Sequence, residues 1–381
     1  MKSLILYAYP PEPDGLSLQG DMLYRGMKEN GEEVMPCDWE GKLQKEWSYS
    51  CFQPDVAIGV GYWGYTPEII LHPQKFGVKP VPWLVADGWV ANYHDLLSQL
   101  PLVLVTSQWV KETYQRDGVD TKNFEIAHIG TEPTLFKPIP KSDPKIKKLR
   151  EMLGVKSDEK LILTIGGDTT SKGAQEMLKA LALVNSEFSQ WKYVCKSWGS
   201  DCSRGHLKEE LELIQELGLE KEKILYLEGS YSREFMIDFL NAADIYASPS
   251  RLEGFGMIQV EAQACGLPVI SIDAMGPKET IVHNKTGFLA KVAKTVDLES
   301  ELVYPKMGFK KKDRIFFDKP KTFAYRANVD DLAKYLLILL ADDKKRVEMG
   351  KNARAHAIKN FHYRDMAKQI TSLVKKRLQL T

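Results

Sequence analysis

The chain has 381 residues, and at roughly 150 residues per domain that length points to two domains. Hydrophobic residues make up 44% and charged residues 27%, a balance that excludes a disordered chain. With 52 basic and 51 acidic side chains the net charge is +1, so nothing predicts a nucleic-acid partner, which needs a strong basic asymmetry.

The N-terminal apolar run is too short for a signal peptide and has no small-residue cleavage site. Apolar runs such as Val56–Gly64 and Tyr335–Ala341 fall far below the ~20 residues of a spanning helix. Five scattered cysteines, Cys37, Cys51, Cys195, Cys202 and Cys265, suit reduced thiols in a cytosol better than a disulfide framework. The expectation is a cytoplasmic protein, with a peripheral membrane contact left open.

Short β-branched runs alternate with helical patterns, the signature of parallel α/β layers. The first half offers strands at Ser3–Tyr7, Asp55–Val60, Val81–Ala86 and Leu102–Thr106, and a helix Leu18–Asn30 stopped by Gly31. A literal G-x-G-x-x-G at Gly59–Gly64 could announce a dinucleotide site. It does not open the first βα unit, a proline-interrupted stretch follows, and no acid ends a second strand about 20 residues on. Pro133, Pro138, Pro140 and Pro144 then mark a semi-rigid linker.

A second α/β series begins at Leu161–Ile165. It continues with a helix Ser171–Asn185, a strand Lys192–Cys195, a helix Leu207–Leu217, a strand Ile224–Leu227 and a helix Arg233–Ala242. It closes with Asp244–Ala247, a helix Met257–Cys265 and Pro268–Ile272. Three helices, Val329–Leu340, Lys344–Asn360 and Tyr363–Leu378, end the chain. The Lys- and aromatic-rich segment 291–326 fits neither pattern and reads as an insert, either a lobe on the second domain, an oligomer contact or a membrane contact.

The most informative run is Ser248-Pro-Ser-Arg-Leu-Glu-Gly-Phe-Gly-Met-Ile-Gln-Val-Glu261, which follows a strand and opens a helix. Glycines beside a helix N-terminus let the backbone approach a ligand, and the free N–H groups favour an anion such as a diphosphate. Glu253 precedes the helix and Glu261 lies inside it, so they read as two separate contacts for sugar hydroxyls rather than an acid/base pair. An acidic cap and a solvent-facing Glu explain the same spacing.

With Pro249-Ser250 before it, Ala262-x-Ala264-x-Gly266-x-Pro268-Val269 after it and Thr286-Gly287-Phe288 beyond, the run resembles the E-x7-E motif of the retaining glycosyltransferase family 4. That resemblance covers Leu161 to Ala290 well and the first domain loosely. It implies a GT-B fold, two doubly wound Rossmann-like domains facing across a cleft. The boundaries expected are 1–140 for an acceptor-side domain, with helix 363–381 packed back on it, and 145–362 for a donor-binding domain. The implied activity is that of a retaining hexosyltransferase, moving sugar from a nucleotide-diphosphate-sugar to a hydroxyl of a glycan, lipid-linked or small-molecule acceptor.

The resemblance also implies roles. Glu253 holds the donor sugar's hydroxyls, and Gly254, Phe255, Gly256 and Met257 line the turn that meets sugar and diphosphate. Glu261 holds the ribose, and Lys172 neutralises the diphosphate leaving group. Ser230 and Tyr231 seat the nucleobase, Gly15 faces the donor phosphates, and Asp87 stands near the reaction centre, with His94 a second acceptor-side candidate. Ile129-Gly130-Thr131-Glu132 matches the family's segment before the linker.

One departure stands out: the family's usual Arg after the first glycine of Ile165-Gly166-Gly167-Asp168 is Gly167. Lys196, Arg204 and Arg251 are the candidates to replace it. No cofactor and no metal are expected, because Cys195, Cys202 and His206 fit no usual zinc spacing and the chain has no Asp-x-Asp. Two other readings remain: a degenerate GT-B protein that binds nucleotide-sugar without catalysis, and a GT-B sugar-nucleotide epimerase.

Overall fold

The computed structural model describes residues 1–86 and 88–380 and divides into two compact units. The first comprises Met1–Gly130, Asp297–Phe323 and Phe361–Thr381; the second comprises Thr131–Val296 and Ala324–Asn360.

The first unit is built on six strands, β1 Lys2–Tyr7, β2 Glu33–Asp38, β3 Val56–Gly61, β4 Lys79–Leu84, β5 Val103–Val105 and β6 Phe124–Ile126. They pair in parallel in the order β2-β1-β3-β4-β5-β6. The inner strands are almost wholly buried, as continuous Val/Ile/Leu runs of a parallel sheet must be. The sequence pattern misses only the two edges. β2 carries Pro36 and charged ends, and β6 is three residues long, so neither presents an apolar run.

The first helix begins at Gly15, three residues before the periodic pattern, because the Asp14 carboxylate caps it by accepting from the N–H groups of Leu16 (2.9 Å) and Ser17 (3.0 Å). The terminal helix Tyr363–Leu378 packs on it, and the Glu29 carboxylate accepts from Tyr363 and Arg364 at 2.5 Å each. The glycines of the G-x-G-x-x-G run serve packing: a Cβ on Gly59 would lie 2.4 Å from Ile69, and one on Gly61 2.5 Å from Tyr65.

In the second unit, six parallel strands are β7 Lys160–Ile165, β8 Trp191–Ser197, β9 Ile224–Glu228, β10 Ile245–Ala247, β11 Val269–Ile272 and β12 Gly287–Ala290. Their order is β12-β11-β10-β7-β8-β9. The chain winds outward from β7 through β9, then returns to the other side of β7 and winds outward again. The winding reverses between β7 and β10, the place where doubly wound sheets bind ligands.

The proline-marked stretch is not a free linker. Ile139 N–H donates to Asn241 Oδ1 (2.7 Å), Asn241 Nδ2 donates to Lys137 O (3.1 Å), and Lys141 Nζ donates to the carbonyls of Asn241 and Ala243. Burial there pushes the Lys141 ammonium down to about 8. The inserted segment is a two-stranded ladder of β13 Val292–Val303 and β14 Asp313–Ala327. Its residues Asp297–Phe323 pack with the first unit, not as a lobe of the second, with Ile315, Phe317 and Phe323 against that unit's apolar core. Among the described residues no helix is long and apolar enough to cross a membrane.

Asn241 is buried and satisfies two backbone groups of the 131–143 stretch. Asn241→Ala leaves that N–H and carbonyl unpaired, and thermal or urea unfolding of the full chain should record a loss of about 1–3 kcal/mol.

Candidate functional site

Two loops leave the second sheet at the switch point, one after β7 and one after β10. The β7 loop runs through Gly166, Gly167 and Asp168 into a 3-10 turn Thr170–Lys172, and Gly173 then starts the helix Ala174–Val184. Gly173 has φ +87°, and a Cβ there would stand 2.4 Å from the carbonyl oxygen of Pro249 in the β10 loop. Only glycine permits both the left-handed backbone and that approach. The two loops therefore touch.

Their contact brings together residues 81 positions apart. Lys172 Nζ lies 2.6 Å from Glu253 Oε2, with side chains 22% and 17% exposed, so the pair is sheltered yet reachable. The Glu253 main chain is fixed on the other side, its N–H against Met275 Sδ (3.3 Å) and its carbonyl accepting from Gly276 N–H (3.1 Å).

Gly256, at φ +98°, is the N-terminal cap of the helix Met257–Ala264 and offers no side-chain cap to its first N–H groups. Phe255 and Gly256 are buried; Gly254 and Met257 are partly exposed. Gln259 ties this helix to the sheet by donating to Ser248 O and Ser271 Oγ, 3.1 Å each.

Glu261 is buried one face further along the helix, and not a solvent-facing Glu. Burial pushes its carboxyl up to about 7; Arg233 pulls the other way and Glu132 adds to the rise. Arg233 is itself paired with Glu132 at 2.8 Å, so Glu132 acts inside the second unit by shaping the field at Glu261.

The structure sorts the three cations proposed to replace the missing Arg. Arg251 is held by Glu176 (2.8 Å) and Gln175 (2.9 Å), and Arg204 by Glu228 (2.7 Å). Lys196 differs. It is buried at the end of β8, in register with Ile165, and its Nζ stands 5.6 Å from the Tyr231 ring centre. Burial pulls its ammonium below the usual lysine range. A desolvated cation beside the glycine loop is ready to receive an anion. Tyr231 is half-buried, edge-on to Phe235 at 5.0 Å, while Ser230 is exposed.

Sequence reasoning missed Trp198. Its N–H donates to Gly167 O (3.1 Å), and a Cβ on Gly167 would stand 2.8 Å from its ring, so the half-exposed indole fills the room through which an arginine at 167 would leave the backbone. A tryptophan set before Gly199 at the carboxyl end of a strand was the available signal. In the first unit, Gly15 is exposed, but the adjacent N–H groups are already taken by Asp14. His94 opens a short helix His94–Gln99, and its carbonyl accepts from Ser98 Oγ at 2.7 Å. Asp87 lies outside the described residues.

Residues 145–302 match the family described as glycosyl transferases group 1. D-inositol 3-phosphate glycosyltransferase of Corynebacterium jeikeium is 28% identical over 213 residues, 55% of this chain and 49% of that protein. That of Corynebacterium aurimucosum is 23% identical over 336 residues, 80% and 70% of the two chains. The chain spans about half the length of the first curated relatives it matches. Among solved structures, Anabaena HepE in complex with UDP and glucose superposes with TM-score 0.75 at 18% identity, covering 99% of this chain and all of that one (100%). Sucrose-phosphate synthase from Thermosynechococcus elongatus gives 0.74 at 18% identity, with 100% of both chains covered. The fold is GT-B, and the match to the group 1 family is confined to residues 145–302.

Glu261 makes stability pH-dependent in a defined direction. Its folded value, about 7, stands above its ordinary 4.5, so folding favours the protonated form. Stability contributed below pH 4.5 is lost as pH rises through about 7, by up to roughly 3 kcal/mol. Glu261→Gln should flatten the melting temperature across that window, and an unchanged profile would remove Glu261 as its source.

Proposed function

We propose that the chain is a retaining glycosyltransferase of family 4 type, moving a sugar from a nucleoside-diphosphate donor held by its second unit to an acceptor hydroxyl. The observation that carries the reading is the 2.6 Å contact of Lys172 with Glu253 at the switch point, beside the uncapped helix N-terminus at Gly256. The pair sets an ammonium suited to phosphate beside a carboxylate suited to sugar hydroxyls. That HepE is seen with UDP and glucose makes UDP-glucose the first donor to try. The names of the curated relatives support a polyol acceptor.

In this reading the donor's diphosphate takes Lys172 away from Glu253. The freed carboxylate accepts hydrogen bonds from the sugar's hydroxyls, and Glu261 accepts from those of the ribose. As the bond between the anomeric carbon and the diphosphate oxygen breaks, negative charge grows on the phosphate. Lys172, Lys196 and the N–H groups of the helix Met257–Ala264 stabilise it. The sugar passes through an oxocarbenium-like state. The acceptor oxygen enters from the face the leaving group occupied, and its proton passes to the departing phosphate oxygen. Configuration is retained. Three cationic or N–H donors meet the diphosphate's charge, so magnesium is not required for the step.

Acceptor-dependent UDP release from UDP-glucose, with a panel of polyol and sugar acceptors, tests the reading. Lys172→Ala and Glu253→Gln should each lower turnover by about 10²–10³-fold, with Mg²⁺ making no difference to the parent chain. Full activity in Glu253→Gln, or strict Mg²⁺ dependence, would sink the proposal. Nucleotide binding without turnover would favour the degenerate reading, and acceptor-independent conversion of the sugar nucleotide the epimerase reading.

Lys196→Met separates the replacement cation from Lys172. Loss of a charge-assisted contact of about 1.5–3 kcal/mol predicts a donor KM raised roughly 10- to 100-fold with the fold intact. A donor KM equal to that of the parent would place the replacing cation elsewhere.

A further inference from the structure

The helix Asp201–Glu216 grips the loop that leads to Lys172 at two points. The deeper one is Glu210, buried, whose carboxylate accepts from the hydroxyls of Thr169 (3.2 Å) and Thr170 (2.5 Å). Nearer the helix N-terminus, His206 Nδ1 stands 2.7 Å from Asp168 Oδ2. Cys202, one turn earlier, places its sulfur 3.9 Å from the same nitrogen. The i,i+4 spacing sets Cys202 and His206 on one helix face, opposite the Asp168 loop. All three donor atoms lie within 4.8 Å of one another.

We propose that Asp168, Cys202 and His206 form a site for one thiophilic divalent cation, zinc foremost. Zinc binds thiolate, imidazole and carboxylate at about 2.0–2.3 Å, which sets tetrahedral donors roughly 3.2–3.7 Å apart. The Cys202–His206 edge, at 3.9 Å, is close to that spacing already. The Asp168–His206 edge, at 2.7 Å, opens by less than about 1 Å to admit the ion. Cys202 is exposed and His206 a third exposed, so small rotations suffice. The second Asp168 oxygen is fixed by accepting from Thr170 N–H (3.1 Å), the outer support that orients a metal carboxylate.

A thiol in the donor set selects zinc or cobalt over magnesium and calcium, which take oxygen ligands. The fourth position falls to water, and on binding the Cys202 thiol proton passes to solvent. Cys195, grouped with Cys202 and His206 from spacing alone, is buried within β8 and takes no part; Asp168, 34 residues before Cys202, is the third ligand instead. The site does not depend on glycosyl transfer. Its effect is mechanical: a bound ion clips the helix Asp201–Glu216 to the loop that ends in Lys172.

The test uses the metal-stripped full chain titrated with Zn²⁺ and Co²⁺. One equivalent should bind, Co²⁺ should produce a thiolate charge-transfer band in the near ultraviolet, and Zn²⁺ should raise the melting temperature. Cys202→Ser and His206→Ala should abolish the band and weaken uptake at least about 10-fold, while Cys51→Ser, the other exposed cysteine, leaves both intact. Mg²⁺ should not compete. Absence of stoichiometric uptake, or uptake and band unchanged in Cys202→Ser, overturns the proposal whatever the transferase assay shows.

Discussion

The second unit is organised around one ion pair, Lys172 with Glu253. Neither residue comes from a strand, and nothing in their local sequence holds them together. They meet because β7 and β10 are neighbours in the sheet although 80 residues of chain run between Lys172 and Glu253. The loops can touch only because Gly173 takes a left-handed backbone against Pro249. A salt bridge exposed to solvent is worth little, but this one is about four-fifths sheltered on both sides. In the proposed reading its value lies in position: it stores an ammonium and a carboxylate where a diphosphate and a sugar would separate them.

The absence of an arginine at Gly167 follows from the same geometry. Trp198 and Gly167 are one feature, a ring laid against a residue with no side chain, joined by a backbone hydrogen bond. Space that a long cationic side chain would cross is filled by indole. In the proposed reading positive charge comes instead from the strand, from Lys196, which is buried at the end of β8 and desolvated as a result. Arg204 and Arg251 were equally plausible in the sequence, but each is tied to a carboxylate. Pairing of this kind is set by tertiary contacts and leaves no trace in local spacing.

What was legible in the sequence follows from how local each signal is. The inner strands and the helices Arg233–Ala242 and Tyr363–Leu378 declare themselves by periodicity, and the 248–261 run by its glycines and its two glutamates. Edge strands β2 and β6 do not, since an edge needs no continuous apolar run. The 131–143 stretch read as a linker because proline content says nothing of side chains such as Asn241 that bind its backbone. The ladder of β13 and β14 was opaque although Val296-Asp-Leu298-Glu alternates, because charged flanks surround that short run; Ile315, Phe317 and Phe323 pack against the first unit's core. Glu261 was placed on the right helix, but its burial and the Arg233–Glu132 pair beside it come from elements 28 and 129 residues away.

In the proposed reading Lys172 changes partners, and its loop needs other anchors while it does so. If Lys172 turns from Glu253 to a phosphate as proposed, the β7 loop loses its side-chain tie to the β10 loop and keeps the main-chain one, Arg251 N–H to Ser171 O at 2.8 Å. Two ties remain on its other side, through Glu210 to Thr169 and Thr170 and through His206 to Asp168, both from the helix Asp201–Glu216. The Glu210 tie is buried, and burial holds its carboxyl above the usual range. The Asp168 tie is less deeply buried, its side chains 17% and 33% exposed, and rests on a single contact to His206. It is therefore the weaker anchor and the one a metal ion would strengthen most. Stiffening at Asp168 acts four residues from Lys172, close enough to limit how far the ammonium drifts without touching the donor itself.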